Sequence, residues 1–186
     1  TGPEGWPDPV AHVLPAWDCI CGQMAALGAL AAERRRLKTG AGEHVEITVK
    51  DVAAAITGHL GLIGEAASGV DRPKAGNALY GAYGQDFRTA DGRRIMVIGL
   101  TDRQWRNLVK ATGTAEAIEA LAERLGVELS LEGERYRARK AITEVLAPWF
   151  AARTAAEIGP ALDAAGVTWS EFRTFREALA QDPDLS

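Results

Sequence analysis

The stretch from Asp18 to Val49 restricts this chain most: a long helical pattern stops at glycines and gives way at once to strict alternation. Ile20, Met24, Leu27 and Ala31 form an apolar stripe, and Gly22, Ala25, Ala26 and Ala29 form a smooth second surface suited to close packing. Arg34, Arg35, Arg36 and Lys38 crowd the last turn before Gly40 and Gly42, as at a helix C-terminus with its glycine stop. Glu43 to Val49 then alternates, with His44, Glu46 and Thr48 on one side and Val45, Ile47 and Val49 on the other, which predicts a half-buried strand. A second helix is expected from about Asp51 to Ala67, where Gly58, Gly61 and Gly64 make a ridge open to close approach by another backbone. Helix, strand and helix in succession imply an α/β layer.

Residues 1–17, dense in proline and glycine, read as a loop-like lead-in. The segment Ser68 to Tyr83 has no sustained period and is broken by Pro73, so a domain boundary is expected after residue 67 and a small domain over residues 68–186. There, Gln85 to Thr89 and Arg93 to Leu100 flank Ala90-Asp91-Gly92, a hairpin signal. Thr101 and Gln104 stand in capping-box positions ahead of a helix. Further helices are expected over Ala115–Leu125, Glu134–Ala152, Ala155–Ala165 and Phe175–Gln181, which makes the small domain mostly helical α+β.

Composition bounds the function. With 47% apolar and 25% charged residues, 186 residues suffice for a packed core, and disorder is excluded. A net charge of -4 argues against nucleic acid as partner. The run Met24 to Ala32 is far shorter than the roughly 20 residues that cross a bilayer. No membrane is expected, and with no signal-peptide pattern the cytoplasm is the expected location. Neither end reads as a natural terminus, so a piece of a longer chain is expected. Cys19 and Cys21 are too close in sequence for a comfortable disulfide and supply only two ligands, so no metal site is expected.

Asp18 is the informative position. At the first turn of a helix it is either a simple cap or a carboxylate nucleophile, and first-turn N–H groups favour an anion there. His44 lies on the alternating segment and His59 on an apolar helix, and no Ser-His-Asp or Cys-His order is compelling. His12 is a candidate because it sits in the irregular segment just before Asp18. Residues 76–85 hold three glycines and two tyrosines ahead of a strand, a loop able to present N–H groups to an oxyanion or to close over a ligand. Tyr80, Gly81, Tyr83, Gly84 and Gln85 are therefore substrate or loop candidates, with an ordinary linker turn as the alternative. The run Glu132 to Lys140 reads as a solvated, mixed-charge helix face.

These residues, in order, resemble the class III CoA-transferases (CaiB/BaiF). Asp18-Cys-Ile-Cys-Gly22 with the small-residue helix behind it resembles the helix that begins at the family's catalytic aspartate. Thr39-Gly40-Ala41-Gly42 resembles the link into its strand, and Asp51 the acidic residue opening the next helix. Gly76-Asn77, the loop to Gln85 and Phe87-Arg-Thr-Ala-Asp-Gly92 resemble the entry to its small domain; Ala165-Gly166-Val167 and Asp182-Pro183 resemble its closing stretch. The lead-in Thr1 to Pro9 and His12 to Asp18 is most similar to members that move CoA between the two carboxyl groups of one branched unsaturated diacid.

The resemblance implies a partial large α/β domain over residues 1–67, with Asp18 as catalytic nucleophile, followed by the small domain. It implies CoA transfer between carboxyl groups through an aspartyl-CoA intermediate, with an acyl-CoA thioester and a dicarboxylic acid as substrate, no tightly bound cofactor, and an interlocked homodimer. Residues 81–85 resemble the family's mobile glycine loop, with Ala82 and Tyr83 departing from an all-glycine form. Most CoA contacts are implied to lie upstream of this chain. The family also contains α-methylacyl-CoA racemases, in which an aspartate at this position would shuttle a proton, and a non-catalytic binding module that keeps the fold is a further alternative.

Overall fold

The computed structural model describes residues 2–11 and 13–185. The chain forms two compact units, Thr1–Lys74 and Ala75–Ser186.

In the first unit, α1 spans Ala16–Thr39 and ends as its sequence requires: Gly40 takes φ +74, with Arg36 and Lys38 in the last turn. The alternating segment that follows differs from expectation. Thr48 at its end is extended, but residues 41–48 have no ladder partner among the described residues and so form no strand. Alternation creates an apolar face, whereas a strand also needs a neighbour's N–H and C=O groups. The face itself is used. Val45 and Ile47 face the Ala25, Ala29 and Ala32 side of α1, and a Cβ on Gly28 would stand 2.6 Å from Ile47 Cδ1. An Arg35–Glu43 ion pair of 2.7 Å ties the segment to the end of α1.

Gly22 takes no part in that contact: outside its own helix, no described residue stands within 4 Å of where its Cβ would be. The expected second helix is two, α2 over Val49–His59 and α3 over Leu62–Ala67, separated by Gly61 at φ +80. Thr48 caps α2, its Oγ1 accepting the Asp51 N–H at 3.0 Å and donating to the Asp51 carboxylate at 2.7 Å. No backbone lies along the Gly58, Gly61, Gly64 ridge among the described residues; the nearest groups are Ile63 Cδ1 at 3.8 Å and Arg72 Nη2 at 3.3 Å. Residues 68–74 are tied to this unit, since Arg72 pairs with Glu65 at 2.8 Å and Lys74 Nζ donates to the carbonyls of Trp6 and Asp8.

The second unit holds the larger core. β1 (Tyr83–Arg88) and β2 (Arg94–Gly99) pair antiparallel about the Asp91-Gly92 turn, where Gly92 takes φ +78. Ile95 and Val97 of β2 point to one face and are fully buried. β3 (Thr168–Glu171), which the sequence reading did not anticipate, pairs antiparallel with β2 to complete a sheet of order β1-β2-β3. α4 (Asp102–Thr112) starts with the expected Thr101–Gln104 capping box, and α5 spans Ala115–Leu125. The helix expected from Glu134 is divided into α6 (Glu132–Arg137) and α7 (Arg139–Ala151). The i to i−4 bonding nevertheless runs through Ala138, with Ala138 N–H on Glu134 O and Ile142 N–H on Ala138 O. α8 (Ala155–Ala164) and α9 (Phe175–Gln181) follow, both with capping boxes.

Leu108, Ile142, Leu146, Phe150, Ile158 and Leu162 are fully buried against the sheet. Phe87 of β1 stacks on Phe150 of α7 with centroids 4.2 Å apart. Each such side chain contributes about 1.5–3 kcal/mol through removal from water.

Candidate active site

Asp18 lies in the first turn of α1. The cap position belongs to Pro15, with no side-chain capping hydrogen bond, so Asp18 is not the cap. Its side chain is exposed. Among the described residues no hydrogen bond or ion pair engages its carboxylate. The positive pole of a 24-residue helix surrounds it. An exposed carboxylate free of internal partners is equipped to attack an electrophilic carbonyl. Cys19 beside it is exposed, Cys21 is half-buried, and both are free thiols. Among the described residues no cluster of His, Cys, Asp and Glu could hold a metal ion.

The loop candidates separate into two sets. Tyr80 is 44% exposed and packs edge-on against Tyr136, with centroids 4.9 Å apart. Gly81 is exposed at φ +83, a conformation that suits glycine, with nothing within 4 Å of a notional Cβ. Tyr83 and Gly84, expected in a loop, instead belong to β1, together with Gln85, expected both to close the loop and to open the strand run to Thr89. Tyr83 is fully buried, packs edge-on against Trp105 at 5.5 Å and shares a 3.0 Å hydrogen bond with Thr143 Oγ1. Burial pushes its phenol well above the usual range, with the Thr143 hydrogen bond opposing. Gly84 is buried and Gln85 half-buried, its Nε2 donating to Asp86 at 3.0 Å. The physical reason is the hairpin: Tyr83 pairs with Gly99 and Gly84 with Ile98, so the ladder extends to the end of the glycine motif. His44 and His59 are exposed, and His12 lies outside the described residues.

The charged run at 132–140 is not uniformly solvated as expected. Arg135 is fully buried. Its Nη1 donates to the carbonyls of Leu129 and Ser130, each at 2.8 Å, and its Nη2 to that of Leu100 at 2.7 Å. The guanidinium also lies over the Trp105 ring, 5.8 Å from its centroid. Burial pulls its pKa below the usual arginine value, and Glu132 and Asp102 oppose that shift. Arg139 sits over Tyr136 at 4.4 Å.

The sequence matches CoA-transferase family III over residues 1–186. It is 56% identical over 187 residues to 2-methylfumaryl-CoA isomerase of Chloroflexus aurantiacus, a match that takes in 100% of this chain and 46% of that protein. Among solved structures, a CaiB/BaiF family protein from Brucella suis superposes with a TM-score of 0.66 at 22% identity, covering 100% of this chain and 47% of that one. The Rv3272 protein of Mycobacterium tuberculosis superposes with a TM-score of 0.71 at 22% identity, covering 97% and 46%. The chain thus spans less than half the length of the relatives it matches, and with the family matched from end to end it belongs to CoA-transferase family III.

Proposed function

We propose that this chain carries the nucleophile of an enzyme that moves coenzyme A between the two carboxyl groups of 2-methylfumaryl-CoA (mesaconyl-CoA). The placement of Asp18 carries the reading: an exposed carboxylate at the positive end of α1, engaged neither as cap nor in an ion pair among the described residues. The 56% identity to a 2-methylfumaryl-CoA isomerase supports the choice of substrate.

An Asp18 carboxylate oxygen adds to the thioester carbonyl; the C–S bond breaks, leaving a mixed anhydride and CoA thiolate. The thiolate attacks the Asp18 side-chain carbonyl, forming aspartyl-CoA thioester and releasing the diacid. The diacid's other carboxylate attacks that thioester, giving a second anhydride and thiolate again. Attack of the thiolate on the diacid carbonyl restores Asp18 and yields the isomeric thioester. No external acceptor is consumed, and retaining the free diacid favours the route through effective concentration. Nucleophile, leaving group and acceptor all come from Asp18 and the acyl-CoA, so the reaction needs no tightly bound cofactor. A cytoplasmic homodimer completes the proposal.

Trapping tests it. Intact protein incubated with 2-methylfumaryl-CoA and quenched with hydroxylamine should carry a hydroxamate at Asp18, located by peptide mass spectrometry. Asp18→Asn should lose turnover about a thousandfold or more. Solvent deuterium uptake into the substrate with Asp18 unmodified would instead indicate proton shuttling. Unchanged turnover in Asp18→Asn would favour a non-catalytic role for this region.

A further inference from the structure

Two tyrosines flank Gly81 and Ala82, and both are tied to the helical pair α6 and α7. Thr143 Oγ1 donates to the Arg139 carbonyl at 2.7 Å, which commits its one proton, so the phenol is the donor in the 3.0 Å bond between Tyr83 and Thr143. Arg139 in turn holds Tyr136: its Nη1 donates to the Tyr136 carbonyl at 3.0 Å, and its guanidinium lies over the Tyr136 ring. Tyr136 packs edge-on against Tyr80. The circuit thus leaves β1 at Tyr83, passes through α7 and α6, and returns at Tyr80. The Leu79 N–H closes it along the backbone by donating to the Gly84 carbonyl at 2.9 Å. A phenylalanine at position 83 would fill the same core space with no buried hydroxyl to satisfy, and an ordinary linker turn needs none of these ties.

What the circuit fixes is a pair of exposed residues, Tyr80 and Gly81. Exposed side chains are ordinarily left to solvent, whereas groups that meet a reactant are held by neighbours whose own rotamers are locked by packing and hydrogen bonds. We propose that Tyr136, Arg139 and Thr143 are positioning residues, which fix Tyr80 and Gly81 where that pair meets the acyl-CoA reactant. The inference rests on the reading of this chain as part of an enzyme that turns over acyl-CoA. None of the three has to touch the reactant. They act through Tyr80, and a displacement of about 1 Å at such a group costs up to about a hundredfold in rate.

The test compares Tyr136→Leu, Tyr136→Phe and Thr143→Val in the intact protein. Hydrogen exchange is read by mass spectrometry over residues 76–84, which contain the bonded Leu79 N–H, and turnover is read with 2-methylfumaryl-CoA. Tyr136→Leu and Thr143→Val should speed exchange in that segment about tenfold and leave β2, residues 94–99, as protected as before. In both, kcat should fall about tenfold with KM changed by less than about twofold. Tyr136→Phe keeps the ring and should match the unsubstituted protein in exchange and in kcat. Unchanged exchange in both Tyr136→Leu and Thr143→Val would overturn the inference, as would an equal loss of protection in β2, which would mark a general loosening of the core. Faster exchange with unchanged kcat would show that Tyr80 and Gly81 are held without meeting the reactant, and would overturn it too. No turnover by the unsubstituted protein would remove the reading beneath the inference and the inference with it, whereas an absent Asp18 adduct with turnover intact would overturn the nucleophile alone.

Discussion

The amide of Leu79 donates to the carbonyl of Gly84 at 2.9 Å, and the two residues approach so closely that a Cβ on Gly84 would stand 2.7 Å from Leu79 Cβ. Ile98 Cδ1, at 3.0 Å, and Met96 Cε, at 3.4 Å, also crowd the position. Residues 79–84 are therefore held to the edge of β1 by a hydrogen bond that depends on the missing side chain.

Gly84→Ala should destabilise the second unit by about 1–3 kcal/mol, the usual cost of overpacking, read as a lower midpoint in thermal unfolding of the intact protein. Gly81→Ala meets no neighbour but must hold φ +83, which costs about 1–2 kcal/mol. A Gly84 variant as stable as the unsubstituted protein would show that the Leu79–Gly84 contact opens freely.

Arg135 is the unusual member of the second core. It ties the end of β2, through Leu100, to the residues between α5 and α6, through Leu129 and Ser130. Its Nε is buried without a partner among the described residues, so the side chain is held by three carbonyls rather than by a carboxylate. Arg135→Met would leave those carbonyls without their donors, and a loss of about 3 kcal/mol or more is expected in urea unfolding. Arg135→Lys should recover only part of it, because an ammonium cannot reproduce the fork that spans separate carbonyls. Equal stability of the methionine variant would show that water serves the carbonyls as well.

Local signals were legible in the sequence and non-local ones were not. The Asp91-Gly92 turn, the Thr101–Gln104 box and the ends of α5 and α9 follow from nearby residues alone. β3 was missed because its partner, β2, lies far back in the chain and no hairpin turn announces the pairing. The reverse error occurred at residues 43–48, where alternation was visible but no neighbouring strand lies among the described residues. Arg135 carried a readable signal: it continues the stripe of Ala138, Ile142 and Leu146, all buried, but its charge outweighed its position. At the candidate site Asp18 was legible as a first-turn carboxylate, whereas its freedom from capping required knowing that the helix begins at Ala16.

Three carboxylates make the second unit sensitive to acid. Asp91 accepts the Thr89 hydroxyl and, at 3.2 Å, the Ala155 N–H at the start of α8. Glu157 and Glu177 accept the N–H groups of Thr154 and Thr174, each at 2.8 Å, in the capping boxes of α8 and α9. These bonds hold all three below their ordinary values of 3.8 and 4.5, with the Thr89 hydroxyl foremost for Asp91 and the threonine backbone N–H foremost for the two glutamates. A folded-state pKa below the unfolded one means that the unfolded chain binds more protons in the interval between them. The stabilisation is therefore complete above the unfolded values and is lost as pH falls through the folded ones. Thermal midpoints should drop between about pH 5 and pH 3, and the drop should be shallower in Asp91→Asn/Glu157→Gln/Glu177→Gln, which has no carboxylates there to protonate. Parallel pH profiles for the two proteins would place the acid sensitivity elsewhere.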